Sequence, residues 1–364
     1  MPSIKLCPEC RVPEDITSQY VWLDSGVMVQ ANNTAKRVGF IESENLDPLY
    51  RGIEAIIGTS IERLVVDIIR RGTVDYGRNL VVPEVREMIR NKQVPMDAVL
   101  DVIVKTGQLN GLGKNEVLDY RYEEDEDDYF VSRITEPFSL ALYLGVMAGS
   151  YEIYSLNHFD VTYSVLSPGI YEMKAFVSEH REGLEERLPI TEYHHRGGDI
   201  ELKKCPSCGG PAALSGFKWH LDRGIIVNTW TNRRMIMMGP EIQDPLFEVL
   251  ERELGEAVPR AVVEAQKRFI KTGFYSMEEL SDEGDFRTQL ALRGLGNLRE
   301  ISMGARGMRM RVDNAACYLM TAGLAQGLFE MAFDMDSHVE WELSPEGDLD
   351  VEITPQGIKE SVDI

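Results

Sequence analysis

The stretch CPEC, residues Cys7–Cys10, recurs near the middle of the chain as CPSC, residues Cys205–Cys208. The sequences that follow the two stretches start in step at an offset of 198 residues (208 − 10), which becomes 197 (244 − 47) after one deletion. Equivalent positions include Gly26 and Gly224, Asp47 and Asp244, Gly111 and Gly294, and Arg133 and Arg311. This ordered series predicts a duplication, with a first repeat at residues 1–195 and a second repeat at residues 196–364.

The length of the repeat indicates a pair of domains. Solenoid units have roughly 20 to 50 residues and need several stacked copies. A repeat of about 180 residues is long enough to enclose a core of its own. Hydrophobic residues make up 43% and charged residues 27% of the chain, which is typical of soluble globular proteins. We therefore expect two tandem homologous domains that contact each other about a pseudo-twofold axis.

The charge of the chain excludes some partners. A net charge of −22 at pH 7 argues against nucleic acid, which requires a basic face, and against adsorption to anionic membranes. The acidic run Glu123–Asp128 lacks the glycine and the alternating ligands of a calcium loop, so we expect the solvated tip of a hairpin.

The cysteine usage and the apolar stretches indicate a cytoplasmic protein. The chain reaches its first cysteine stretch without an apolar leader, and its longest apolar stretch, Phe138–Gly149, is too short to span a bilayer. Five cysteines, four of them in CxxC pairs, fit a reducing compartment and a metal better than a disulfide framework.

The order of patterns in both repeats predicts an α+β fold, in which each domain has an antiparallel sheet backed by helices. Each repeat opens with a short strand and a CxxC knuckle, followed by a hairpin with its turn at Asp24–Gly26 or Asp222–Gly224. A long amphipathic helix follows, with Asp47 or Asp244 as its expected N-cap. A Gly-Leu-Gly turn, a strand, a helix rich in small residues and a final strand hairpin complete each repeat. We expect the glycines of that helix to pack closely against the sheet.

The two knuckles are candidate metal ligands. A structural zinc site has four ligands, and each repeat supplies two cysteines. The first hypothesis is a single zinc bound by Cys7, Cys10, Cys205 and Cys208 between the repeats. A second arrangement completes the site of the second repeat with His194, His195 or His220, and a third shares a site between the chains of a homodimer. A thioredoxin-type dithiol is disfavoured because the predicted hairpin, instead of a helix, follows each knuckle. A zinc closed by four thiolates has no open position, so its role would be structural.

Other residues are candidates for ligand binding. Arg37 and Arg234 are equivalent, and either could hold a carboxylate or phosphate. Their alternative is a structural pairing with the equivalent residues Glu44 and Glu241, which we favour. The remaining candidates are Trp219 and His220 on the second hairpin, Met237 in a methionine-rich segment, and Cys317 on the small-residue helix. Cys317 and the methionines have plain core packing as their alternative role.

The last part of the chain resembles the 4-vinyl-reductase-type domain, a small-molecule-binding or "hydrocarbon-binding" module. The resemblance is carried by Arg311–Glu330 and Val339–Asp348. The residues that match the family pattern in order are Gly294–Gly296, Asn314, Cys317, Gly323, Gly327 and Gly347–Asp348. Gly111–Phe176 resembles the family more weakly. The chain lacks the cysteines that often flank the closing Gly-Asp turn, so we do not expect Cys317 to bind metal.

This resemblance implies a function in small-molecule binding. Family members sense aromatic compounds for transcription regulators or accompany tetrapyrrole and anaerobic aromatic metabolism. We therefore expect a cytoplasmic, non-catalytic zinc protein that binds a small apolar or aromatic molecule, or that assists a pathway enzyme. The alternatives are a reductase or tetrapyrrole-processing enzyme, and an assembly scaffold similar to vesicle-tethering subunits. A small-molecule binder should contain an apolar cavity, and an enzyme should contain a pocket on which ionisable groups converge. A scaffold should contain neither feature.

Overall fold

The computed structural model describes residues 4–178, 194–275 and 283–356. The fold is α+β with antiparallel sheets backed by helices, as predicted. The elements of the first repeat are α1 (Glu14–Gln19), β1 (Tyr20–Trp22), β2 (Met28–Gln30), β3 (Asn33–Glu42), α2 (Leu46–Ile57), α3 (Glu62–Leu80), α4 (Pro83–Arg90), α5 (Met96–Asn110), β4 (Lys114–Arg121), β5 (Tyr129–Thr135), α6 (Leu140–Glu152), β6 (His158–Ser167) and β7 (Ile170–Ser178).

The second repeat follows nearly the same order. Its elements are β8 (Phe217–His220), β9 (Ile225–Asn228), β10 (Arg233–Met238), α7 (Pro240–Leu254), α8 (Val258–Phe269), α9 (Glu283–Leu292), β11 (Asn297–Gly304), β12 (Gly307–Asp313), α10 (Tyr318–Phe333), β13 (Ser337–Leu343) and β14 (Leu349–Pro355). The acidic run Glu123–Asp128 lies in the turn between β4 and β5, as expected for a hairpin tip.

The strands form one sheet shared between the repeats and one further sheet in each repeat. The shared sheet has the order β1-β2-β3-β10-β9-β8, so the knuckle hairpins of the two repeats meet edge to edge. The other two sheets have the orders β4-β5-β7-β6 and β11-β12-β14-β13, which are the same order in equivalent strands. The duplication seen in the sequence is therefore repeated in the topology.

The pairing of β3 with β10 locates the predicted pseudo-twofold axis. The two strands are antiparallel, and Phe40 lies opposite Met237. These two residues are equivalent at the offset of 197 (237 − 40) that joins the repeats. A residue can face its own counterpart only where a twofold axis passes between them, so the axis crosses the middle of the shared sheet.

The predicted long helix is two helices in each repeat. Gly58 ends α2 in the left-handed conformation (φ 77°), and Gly255 (φ 101°) ends α7. The predicted N-caps are wrong: α2 already includes Asp47, and α7 begins five residues before Pro245, at Pro240. Pro240 is itself suited to a first helical position, because the N–H of a residue there has no acceptor within the helix and its absence costs no hydrogen bond.

The helices pack across the repeats as well as within them. Helix α2 contacts α8, and α3 contacts α7. At the first of these contacts a Cβ on Gly52 would lie 2.8 Å from the Cβ of Ala265. One cluster of buried apolar side chains includes residues of both repeats. The boundary at 195/196 stays a prediction, and residues 179–193 just before it lie outside the described residues.

The small-residue helices have the close backbone approach that their glycines predict. Gly145 and Gly149 of α6 face α3, and the equivalent Gly323 and Gly327 of α10 face α8. A Cβ on Gly149 would lie 2.3 Å from the carbonyl oxygen of Arg70. The expected partner was the sheet, but the observed partner is a helix, because α3 and α8 cover the faces that carry these glycines. None of the described helices is long and apolar enough to cross a membrane.

Replacing Gly149 with alanine should lower the free energy of unfolding by about 2 kcal/mol or more, because the added Cβ would overlap backbone that cannot move aside. Gly72→Ala in α3 is the matched control, since its Cβ would meet nothing within 4 Å. That substitution should raise stability by about 0.5–1 kcal/mol through helix propensity. Urea unfolding of both variants measures the two effects. Equal stability of the two variants would contradict the close packing of α6 on α3.

Candidate metal centre and ligand cavities

The two CxxC knuckles have the same backbone conformation. In each, the residue after the second cysteine adopts a positive φ, 61° at Arg11 and 74° at Gly209. The N–H of that residue donates to the carbonyl of the first cysteine, at 3.1 Å in the first knuckle and 2.9 Å in the second. Isolated bridges between Leu6 and Pro13, and between Lys204 and Pro211, close the loops. Both cysteines of each knuckle therefore lie on one tight turn.

The four knuckle cysteines lie together on the pseudo-twofold axis. The Sγ atoms of Cys7 and Cys205 are 3.8 Å apart, and those of Cys10 and Cys208 are 3.5 Å apart. All four sulfur atoms lie within 4.8 Å of one another. Sulfurs bound tetrahedrally at about 2.3 Å from a zinc ion are about 3.8 Å from each other. The donor set and its spacing therefore fit a tetrahedral metal site that joins the repeats.

The electrostatics of the cluster differ between its sulfurs. The backbone N–H of Cys10 points at the sulfur of Cys7 and lowers its pKa to about 7. Burial raises the pKa of the Cys10 and Cys208 thiols. A metal ion binds thiolates, so metal binding would release the protons that burial otherwise favours.

The structure discriminates between the predicted ligand sets. Within residues 4–178, 194–275 and 283–356, the four cysteines form the only group of three or more potential ligands. His194, His195 and His220 do not belong to it. All four sulfurs come from one chain, so the cluster is complete without a partner subunit. The expectation that a hairpin directly follows each knuckle is wrong for both, because α1 intervenes in the first repeat and a 3-10 helix, Ala212–Gly216, intervenes in the second.

Arg37 and Arg234 join the repeats through backbone carbonyls. The guanidinium of Arg37 donates to the carbonyls of Gly294, Asn314 and Ala315, at 3.0, 2.6 and 3.3 Å. Arg234 donates to the equivalent carbonyls of the first repeat, which are those of Gly111, Glu136 and Pro137. Each arginine therefore holds the Gly-Leu-Gly turn of the opposite repeat. The favoured structural role fits these contacts, and the backbone N–H of Arg234 also donates to the carboxylate of Glu44 at 2.9 Å.

Two tryptophans make a second pair of reciprocal contacts. The indole N–H of Trp22 donates to the carbonyl of Leu292 at 2.8 Å, and that of Trp219 donates to Leu109 at 3.0 Å. Leu109 and Leu292 are equivalent, so Trp22 corresponds to Trp219. His220, which we predicted as a ligand-binding residue, follows Trp219 at the end of β8.

Glycine turns meet across the axis in the same reciprocal way. The N–H of Gly113 donates to Gly224 at 2.8 Å, and the N–H of Gly296 donates to Gly26 at 3.1 Å. A Cβ at Gly26 would lie 2.4 Å from the carbonyl oxygen of Gly296, so only glycine allows this approach. The knuckle hairpin of each repeat is thus docked on the Gly-Leu-Gly turn of the other.

Two cavities lie at equivalent positions, one beside each small-residue helix. The first cavity has a volume of about 310 Å³ and is lined by Ile103, Leu112, Val146, Met147, Met237 and Met238 among others. The second cavity has a volume of about 390 Å³. Its lining positions repeat those of the first, with Ile41 for Met238, Phe286 for Ile103, Leu295 for Leu112 and Leu324 for Val146. In each cavity one wall comes from the opposite repeat.

The cavities contain two of the predicted ligand-binding residues. Met237 lines the first cavity, and Cys317 lines the second. Arg37, Arg234, Trp219 and His220 line neither cavity, and their assignment as ligand-binding residues stays a prediction. The sequence analysis did not identify most of the residues that line the cavities. A signal was present, because α5 and α9 each directly precede a Gly-Leu-Gly turn and line equivalent sides of the two cavities.

Cys317 is held at the start of α10 by a buried acid. Its backbone N–H donates to the carboxylate of Asp244 at 3.0 Å. Burial raises the pKa of Asp244 to about 7 and raises the pKa of the Cys317 thiol well above its usual range. A thiol in this environment stays protonated, so it is not an activated nucleophile. The equivalent Asp47 is partly exposed and pairs with Arg51 at 3.8 Å.

Comparisons with known proteins give little further information. No family model matches the chain, so the resemblance to the 4-vinyl-reductase-type domain stays a prediction. No curated protein matches it. Two of the similar solved structures are a Cs H-NOX domain carrying 4-cyano-L-phenylalanine (18% identity, TM-score 0.24) and an isoleucine-to-phenylalanine variant of the T. tengcongensis H-NOX domain (16% identity, TM-score 0.24). Each match covers 33% of this chain, and 74% and 75% of the respective H-NOX chains. Scores this low support no inference about the chain.

Replacing Arg37 with methionine should cost at least about 3 kcal/mol of stability, because it leaves three carbonyls of the opposite repeat without a donor. Arg309→Met is the matched control, since Arg309 is largely exposed and pairs with Glu352 at the surface. The control should change stability by less than about 0.5 kcal/mol. Chemical unfolding measures both. A small effect at Arg37 would contradict the role of this contact in joining the repeats.

Proposed function

We propose that this protein is a non-catalytic, zinc-stabilised binder of a small apolar or aromatic molecule, which occupies the first cavity. The observation that carries the proposal is the cavity itself, whose wall is made mainly of aliphatic and methionine side chains from both repeats. Ligand pockets commonly have volumes of about 300–1,000 Å³ with apolar walls and few polar groups. The first cavity has these properties.

The polar side chains that line the first cavity are all neutral, and Oδ1 of one of them, Asn115, accepts no hydrogen bond from the described residues. The amide of Asn115 donates to the sulfur of Met147 at 3.5 Å and lies beside the hydroxyl of Tyr143. Burial raises the pKa of Tyr143 far above the physiological range, so its hydroxyl is neutral. Neutral polar groups in a predominantly apolar wall, with no charged side chain, are the arrangement expected of a binder of aromatic compounds.

Zinc is the metal that we assign to the cysteine cluster. Four thiolates at tetrahedral spacing favour zinc or iron, and zinc is the usual ion of closed knuckle sites with four cysteine ligands. A zinc with four protein ligands has no position for substrate, so it would join the two repeats and would not act on a ligand. Free cysteines of this kind also support a cytoplasmic location, where thiols stay reduced.

Catalysis at the second cavity is the second candidate function. Glu42, Arg233 and Arg293 converge on the second cavity, and convergent ionisable groups are the feature expected of an active site. The protonated state of Cys317 argues against a thiolate mechanism there. A pure scaffold is disfavoured, because it would need neither cavity.

We expect native mass spectrometry to find one zinc per chain. Cys10→Ser and Cys208→Ser should each abolish zinc binding, because either substitution breaks the same four-ligand site. Cys317→Ser is the control and should retain the metal. Two zinc ions per chain, or loss of only half the metal in the Cys10 variant, would show that the knuckles bind separate ions. Elemental analysis of the same samples identifies the metal.

Benzothiophene tests the apolar wall of the first cavity by itself, because it is flat, aromatic and free of hydrogen-bond donors. Calorimetric titration should show that Val146→Trp, which fills the first cavity, weakens its binding roughly tenfold or more. Leu324→Trp fills the second cavity at the equivalent position and should leave the binding in the first cavity intact. Binding that is insensitive to Val146→Trp, or no binding at all, would overturn the proposed function.

A further inference from the structure

The second cavity differs from the first in its polar groups. Where the first cavity has Gly239, Ile242 and Asn110, the second has Glu42, Asn45 and Arg293. The backbone frame is the same in both, because these residues are related by the pseudo-twofold axis. The polar side chains are therefore additions that the shared fold does not require.

The charged groups of the second cavity already have partners. Arg293 forms an ion pair with Glu42 and donates to the carbonyl of Phe40 at 3.1 Å. Burial and the nearby carboxylate of Glu42 raise the pKa of Tyr275 well above its usual range, so its hydroxyl is neutral. The guanidinium of Arg233 lies over the rings of Phe274 and Tyr275, at 4.7 and 4.2 Å from their centres. Asp285 also lines the cavity, so its two carboxylates balance its two guanidinium groups and the cavity does not require a charged ligand.

Two amide side chains of the second cavity have an oxygen without a partner among the described residues. Asn45 and Gln266 are each 2% exposed, and both line the cavity. Neither Oδ1 of Asn45 nor Oε1 of Gln266 accepts a hydrogen bond. At the offset of 197 their equivalents are apolar, Ile242 for Asn45 and Ile69 for Gln266. Buried acceptors are nearly always satisfied in folded proteins, so a molecule in the cavity is the natural donor.

We propose that the second cavity is a separate binding site for a neutral, largely aromatic or aliphatic molecule that carries N–H or O–H donors. The donors would bind the amide oxygens of Asn45 and Gln266. The apolar body would lie against Met320, Leu324 and Leu328, which line the same cavity. The cavity volume of about 390 Å³ accommodates a bicyclic ring system. This site is independent of the ligand proposed for the first cavity.

Indole and benzothiophene test this proposal, because they have similar shape and only indole has an N–H donor. The titrations use the full chain with Val146→Trp, so that binding reports on the second cavity. Indole should bind roughly tenfold more tightly than benzothiophene, since a buried acceptor gains a donor only from indole. Adding Asn45→Ile and Gln266→Ile, which introduce the residues found at the equivalent positions 242 and 69, should bring the two affinities within about twofold of each other, mainly by weakening indole.

Equal affinities in the Val146→Trp protein, or a preference for indole that survives Asn45→Ile and Gln266→Ile, would overturn the proposal. If Val146→Trp impairs folding, the wild-type protein and Leu324→Trp replace it: filling the second cavity should then remove an indole-preferring site and leave the benzothiophene site. Failure of benzothiophene to bind the Leu324→Trp protein would count against the first cavity alone. The two proposals can therefore fail separately.

Discussion

The pseudo-twofold contact between β3 and β10 is the constraint on which the rest of the structure depends. The axis that passes between Phe40 and Met237 also passes through the cysteine cluster, where Cys7 and Cys205 are 3.8 Å apart. Neither repeat supplies enough sulfurs to close a tetrahedral site, so a bound metal would fix the relation that the sheet pairing creates. The shared sheet and the cysteine cluster thus enforce the same symmetry from two points on one axis.

Because of this symmetry, each repeat contributes side chains and backbone that complete the structure of the other. The hairpin of one repeat docks on the Gly-Leu-Gly turn of the other through Arg37 or Arg234, and each cavity takes one wall from the opposite repeat. Because the cavity walls come together only when the repeats are joined, ligand binding and the inter-repeat contact are thermodynamically linked. A ligand that binds the joined form would stabilise the whole chain by mass action. The structural metal and the ligand sites therefore belong to one cooperative unit.

Much of this arrangement follows from the sequence, since the offset between repeats predicts the duplication and the two cysteines of each knuckle predict a shared site. The glycines of α6 and α10 likewise predict close backbone contact. The sequence does not reveal that Arg37 reaches Asn314, because the acceptors are carbonyls, which every residue has. The cavities also escape prediction, because their walls combine segments of both repeats that are distant in the chain.

The departures from symmetry are informative because the backbone frame is common to both repeats. The first cavity shows that this frame accepts Gly239 and Ile242 where the second has Glu42 and Asn45. Burying an ion pair and unpaired amide oxygens costs free energy, and apolar replacements of such groups are often neutral or stabilising. The second cavity therefore bears a cost that the first cavity avoids at the equivalent positions. Packing alone does not account for this difference, whereas a molecule that donates hydrogen bonds to Asn45 and Gln266 does.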